Sequence, residues 1–168
     1  MSQYLSFYIR GKDEQFYPIA EYCGSSSYFE AFEPYIPSYN GLGAITEQTL
    51  GCVRADVRNH VQEQKQFIKR EKTHKQDILQ ANNSFEEKMD AICSCDQFIE
   101  ETEDEIEAWK ATDHFIDFLH GILESINYRS RFEGREDKYL YAAIEPQIIK
   151  DVRDFTEEDK KSCTQWGY

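Results

Sequence analysis

Apolar and polar residues alternate at the start of the chain. Leu5, Phe7 and Ile9 fall on one side, and Tyr4, Ser6, Tyr8 and Arg10 on the other. Period-two alternation of β-forming residues predicts a strand over 3–10. Gly11-Lys12-Asp13-Glu14 supplies a turn, and Phe16 to Cys23 reads as the returning strand. Pro18 has no backbone N–H to give, which places this second strand at a sheet edge or at a bulge. A serine of the Gly24–Ser27 break caps a short helix over 28–33. Pro34 to Gly43, with two prolines, Asn40 and two glycines, reads as a loop.

The period then changes. Leu50, Val53, Val57, Val61, Phe67, Ile68 and Ile78 recur at helical spacing, and Thr46 is the expected N-cap of a helix over 46–80. Ala81-Asn82-Asn83-Ser84 is the break, and Ser84 followed by Glu87 forms a capping box for a second helix over 84–127. Phe85, Ile92, Ile99 and Ile106 repeat every seven residues, as do Cys95, Thr102, Trp109, Ile116 and Leu123. Such rows form a coiled-coil seam. At 1.5 Å per residue the helices extend roughly 50 and 65 Å, so they must cover each other or be covered by another chain. Asn127 to Asp137 reads as a loop. Alternation returns at 138–145, a third strand, and 147–155 and 156–162 suit short helices.

The expected fold class is therefore α+β. A small antiparallel sheet of three strands packs at one end of a long antiparallel, coiled-coil-like helical hairpin. One domain comprises an aromatic cap (1–45), the hairpin (46–128) and a returning segment (129–168). The cap holds 11 of the 24 aromatic residues. Tyr4, Tyr8 and Tyr17 either line an exposed outer sheet face or belong to a sheet buried on both sides.

Charge changes the picture more than composition does. The 168 residues carry 19 basic and 32 acidic side chains, a net charge of −13, which excludes a generic nucleic-acid binder with a basic footprint. The excess sits almost wholly in 84–128, which hold 13 acidic against 2 basic residues. Glu100, Glu101, Glu103, Asp104, Glu105 and Glu107 are its densest part. Like charges at i,i+4 weaken a helix, so something offsets them. Arg54, Arg58, Lys65, Lys69, Arg70, Lys72 and Lys75 of the first helix are one candidate, with Glu100–Glu107 set beside Arg58–Lys65. A protein partner bound through the acidic face is the other. Imitation of nucleic-acid phosphates is a third reading.

Motifs for chemistry are sparse. No Gly-x-Ser-x-Gly elbow, dinucleotide fingerprint or phosphate loop occurs. Cys93-Ser94-Cys95 diverges around a helix, and even with His74, Asp90 or Asp96 nearby it makes a poor metal set, so no metal and no cofactor is expected. His60, His74, His114 and His120 read as seam or surface histidines. Tyr128, Arg129, Arg131 and Arg135 form a basic and aromatic stretch, the place to seek a captured nucleotide. Five scattered cysteines and no secretory leader point to reduced thiols in a cytoplasm, and no apolar run is long enough for a membrane.

The segments Tyr4-Leu5-Ser6-Phe7-Tyr8-Ile9-Arg10, Ala81-Asn82-Asn83-Ser84 and Tyr141-Ala142-Ala143-Ile144-Glu145 give the chain a style that resembles small proteins encoded by phages, prophages and mobile elements. The resemblance implies a stoichiometric inhibitor that binds a host defence protein in the host cytoplasm, and it assigns no site residue. The function expected is non-catalytic binding of a protein partner, by a homodimer or small homo-oligomer.

Overall fold

The computed structural model describes residues 3–11, 15–36, 42–133 and 140–145. Strand β1 (Tyr4–Arg10) and strand β2 (Phe16–Cys23) form the expected hairpin. Helix α1 (Ser27–Phe32) follows, capped by Ser26, whose hydroxyl accepts from the Phe29 N–H, and a 3-10 turn spans Glu33–Tyr35. Strand β3 is Leu42–Ala44, helix α2 Glu47–Gln80, helix α3 Phe85–Glu133 and strand β4 Leu140–Glu145. No described helix is long and apolar enough to cross a membrane.

Among the described residues the sheet has four strands, not three, in the order β2-β1-β4-β3, all antiparallel. The extra strand lies inside the stretch expected to be a loop. Leu42, Gly43 and Ala44 are too few for alternation to show, and two glycines mask them. Their pairing with Ala143, Ala142 and Tyr141 comes from β4, a hundred residues downstream. The edge position of β2 agrees with Pro18, and the register shifts between Phe7 and Tyr8, where Pro18 enters the ladder.

Leu5, Phe7, Leu140, Ala142 and Ile144 face the helices and share one core with Phe29, Phe32, Leu50, Val53, Ile116 and Leu119. The opposite face is also buried. Tyr8 and Tyr141 are each 1% exposed and join Phe16, Leu42 and Ala143 in a second cluster. Of the two readings of the tyrosines, burial on both sides therefore holds for Tyr8. Tyr17 pairs with Ile9 in the register and stays exposed.

The hairpin closes near Asn82. Thr46 accepts from the Thr49 N–H and caps α2. Ser84 and Glu87 exchange the reciprocal bonds of a capping box, the Ser84 N–H donating to Glu87 Oε2 at 3.2 Å and the Glu87 N–H to Ser84 Oγ at 3.3 Å. α2 ends at Ala81, whose backbone is extended. In α3, Cys95, Ile99, Thr102, Ile106, Trp109, Ile116 and Leu123 are buried along the seam. Phe85 does not join it. It is 78% exposed, and Leu79 near the end of α2 is left open as well, at 54%.

α3 also runs farther than expected, to Glu133 rather than 127. No glycine or proline intervenes between Ile122 and Gly134, and arginines suit the negative end of a helix. The expected loop over Asn127–Asp137 is thus helical through 133. The expected short helices at 147–155 and 156–162 lie outside the described residues.

Candidate interaction surface

Cross-helix pairing decides which acidic groups are spoken for. Arg54 of α2 reaches Asp113 (Nε to Oδ1, 3.2 Å, without the angle of a hydrogen bond) and Asp117 of α3. Arg58 Nη2 lies 3.7 Å from Asp113 Oδ2. Near the turn, Lys75 Nζ donates to both Asp96 oxygens, at 2.5 and 2.8 Å. All these pairs are partly exposed, so each contributes at most about 1 kcal/mol. Together they set the register of α2 on α3.

Within the dense acidic run, two residues reach α2. Glu103 Oε1 lies 3.8 Å from Lys72 Nζ. Glu105 Oε1 is 2.7 Å from His60 Nε2 and accepts from Gln64 Nε2 at 3.4 Å. The expected placement beside Arg58–Lys65 therefore holds for Glu105, while Glu103 pairs farther along. Two more residues are held within α3. Glu101 accepts from Gln97 at 2.8 Å, and Glu107 accepts from Lys110 at 2.5 Å.

Glu100 and Asp104 have no partner among the described residues, and neither do Lys65, Lys69 and Arg70 in ion pairs. The geometry explains this. Glu100, Asp104 and Glu107 each lie two residues from a seam position (Thr102, Ile106 and Trp109), which is about 160° around the helix. They form the outward ridge of α3, and all three are exposed.

The same ridge continues past His114 to Phe118, which is 54% exposed. Phe118 stacks on Phe115 at 5.9 Å between ring centroids. Phe115 in turn meets Phe7, Tyr22 and Tyr28 edge-on at 5.1, 5.2 and 5.7 Å. Tyr22 and Tyr28 stack face to face at 3.9 Å. Ser27 anchors α1 here through its hydroxyl, which lies 3.0 Å from the Ala108 carbonyl and 2.9 Å from Thr112 Oγ1. Sequence reasoning missed this aromatic corner. Its one trace is the run Phe115-Ile116-Asp117-Phe118-Leu119, which is broader than a two-row seam requires.

The histidine with the most developed surroundings is His60. Its ring stacks on Trp109 at 4.1 Å and 26°, with Glu105 and Gln64 on its edge. The cluster lies on the flank of the two-helix rod and fills the seam there. Cys93 is exposed and Cys95 buried, as divergence around a helix requires. Burial pushes the Cys95 thiol above its ordinary range, whereas the Ser25 hydroxyl lowers the exposed Cys23 thiol. Among the described residues no three His, Cys, Asp or Glu groups are placed to hold a metal ion. Tyr128, Arg129 and Arg131 sit on the last turns of α3, in a helix rather than the expected loop, and their side chains lie outside the described residues, as does Arg135.

No family model, curated protein or solved structure matches the chain.

Proposed function

We propose that the protein acts without catalysis, by binding a protein partner through the outward ridge of α3. One observation carries this reading. Glu100 and Asp104 point away from α2 and stay unpaired among the described residues, although cations without an ion pair among those residues stand on α2. Like charges four residues apart weaken α3 slightly and return nothing to the fold. An acidic ridge facing outward attracts a partner whose contact surface is basic. The phage-like style of the chain supports a host defence protein as that partner, inhibited by occupation rather than by chemistry.

The test is charge reversal. E100K/D104K/E107K leaves the seam untouched and is expected to keep the helical circular dichroism of the native chain. Immobilised native protein recovers the partner from host lysate. The reversed variant loses it, and raised salt weakens capture. Recovery of the same partner by the reversed variant at equal yield removes the acidic ridge as the interface.

A homodimer or small homo-oligomer is a second proposal, carried by a different observation. Leu79, Phe85 and Met89 stand exposed on the two helices near the hairpin turn. Several exposed apolar side chains near one end of a rod favour burial against a second copy.

A further inference from the structure

Phe118 is an exposed aromatic ring that the fold does not need exposed. It belongs to a rigid group, since Phe115 beneath it touches Phe7, and Phe7 packs edge-on against the fully buried Phe32 at 5.0 Å. A ring held this firmly gives up little freedom when a partner covers it, which is how a few aromatic residues come to dominate an interface.

The two chain segments that supply the rings carry charge of one sign, and the cations paired with them among the described residues come from α2. Residues 15–36, which supply Tyr22 and Tyr28, contain Glu21, Glu30 and Glu33 and no Lys or Arg. Residues 111–125, which supply Phe115 and Phe118, contain Asp113, Asp117 and Glu124 and again no Lys or Arg. Arg54 and Arg58 of α2 answer Asp113 and Asp117 from the seam side. Phe118 lies two residues from the seam residue Ile116, and so faces the other way. Aromatic faces attract cations, most strongly where the surrounding field is negative.

We propose that the aromatic corner of Phe118, Phe115, Tyr28 and Tyr22 is the anchor for an arginine or lysine side chain of the partner protein. This rests on the reading of the outward ridge of α3 as the partner-binding face, and it names what the partner must bring. Phe118 lies about 16 Å along the helix from Glu107 and about 21 Å from Asp104. One basic element of the partner, a helix of about 15 residues, reaches both the corner and the carboxylates.

The probe is a synthetic amphipathic helical peptide of about 18 residues, with arginines along one face. Its control carries citrulline at the same positions, which keeps the shape and removes the charge. NMR titration of the full-length protein follows the rings of Phe118 and Tyr28 and the side chains of Glu100, Asp104 and Glu107. The arginine peptide shifts both sets saturably, and the citrulline peptide shifts neither. F118L keeps an apolar side chain without the ring face, and it weakens arginine-peptide binding about three- to tenfold. F118Y restores binding.

Several outcomes overturn the anchor: ring signals that stay still while the carboxylate signals move, equal binding by F118L, or equal binding by the citrulline peptide. The first of these leaves the acidic ridge standing. Movement of the rings alone supports the anchor and removes the ridge. Silence from both sets removes both.

Discussion

Two tyrosines show how burial and one hydrogen bond reshape an ordinary side chain. Desolvation, with Tyr28 stacked alongside, pushes the Tyr22 hydroxyl up to about 12. Donation to Asp56 Oδ2 at 2.5 Å raises that of Tyr35, also to about 12. Both groups keep their protons in the fold beyond the value of 10.0 at which they lose them when unperturbed. Between those values the native state binds more protons than the unfolded chain, so stability falls as pH rises. The contribution is whole below pH 10 and is lost on the way to about 12. The urea midpoint is expected to drop from about pH 9 to about pH 11, and to drop less in Y22F. An equal drop in Y22F assigns the alkaline loss to other groups. Neither shift was legible from sequence, because the stack on Tyr28 and the reach of Tyr35 to α2 exist only after folding.

Element ends were the most legible part of the chain. Thr46, Ser26 and the Ser84–Glu87 pair all cap the helices that follow them, because a cap bonds across three residues and needs no distant partner. S84A is expected to cost about 1 kcal/mol in chemical denaturation. E87A costs less, and the double variant costs less than the two summed, since each half of the box depends on the other. Full additivity separates the two bonds. Where the signal was weaker, so was the reading. β3 stayed hidden because three residues cannot show a period. The C-terminal end of α3 lies beyond the expected 127, because no glycine or proline breaks the helix before Gly134.

At the scale of the whole molecule, packing declines along the hairpin. Buried positions crowd the half of the rod that carries the sheet, and none occurs between Ile68 of α2 and Cys95 of α3. The seven-residue rows of α3 are filled by α2 of the same chain, so they leave no long seam for a second copy. What remains is Leu79, Phe85 and Met89 near the turn. If copies associate there, sedimentation gives a mass above 19.8 kDa that falls toward 19.8 kDa in F85S/M89S. Phe85 is mostly exposed, so these changes leave the monomer folded. A native chain that sediments at 19.8 kDa at every concentration excludes the tip as an oligomer contact.

Sequence alone determined the class, the two long helices, the break between them, the hairpin of β1 and β2 with its edge at Pro18, and the concentration of negative charge on the second helix. Each of these is written in neighbours or in a period, and local physics reads both. Tertiary structure decided the rest. It chose β4 as the neighbour of both β1 and β3, buried Tyr8 and Tyr141 on the second face, and sorted the acidic run into residues that pair with α2 and residues that do not. It also brought Tyr22 and Tyr28 against Phe115 and left Phe118 in the open. These outcomes depend on which residues meet across about 30 to 140 positions of chain, and no short window along the sequence contains both partners.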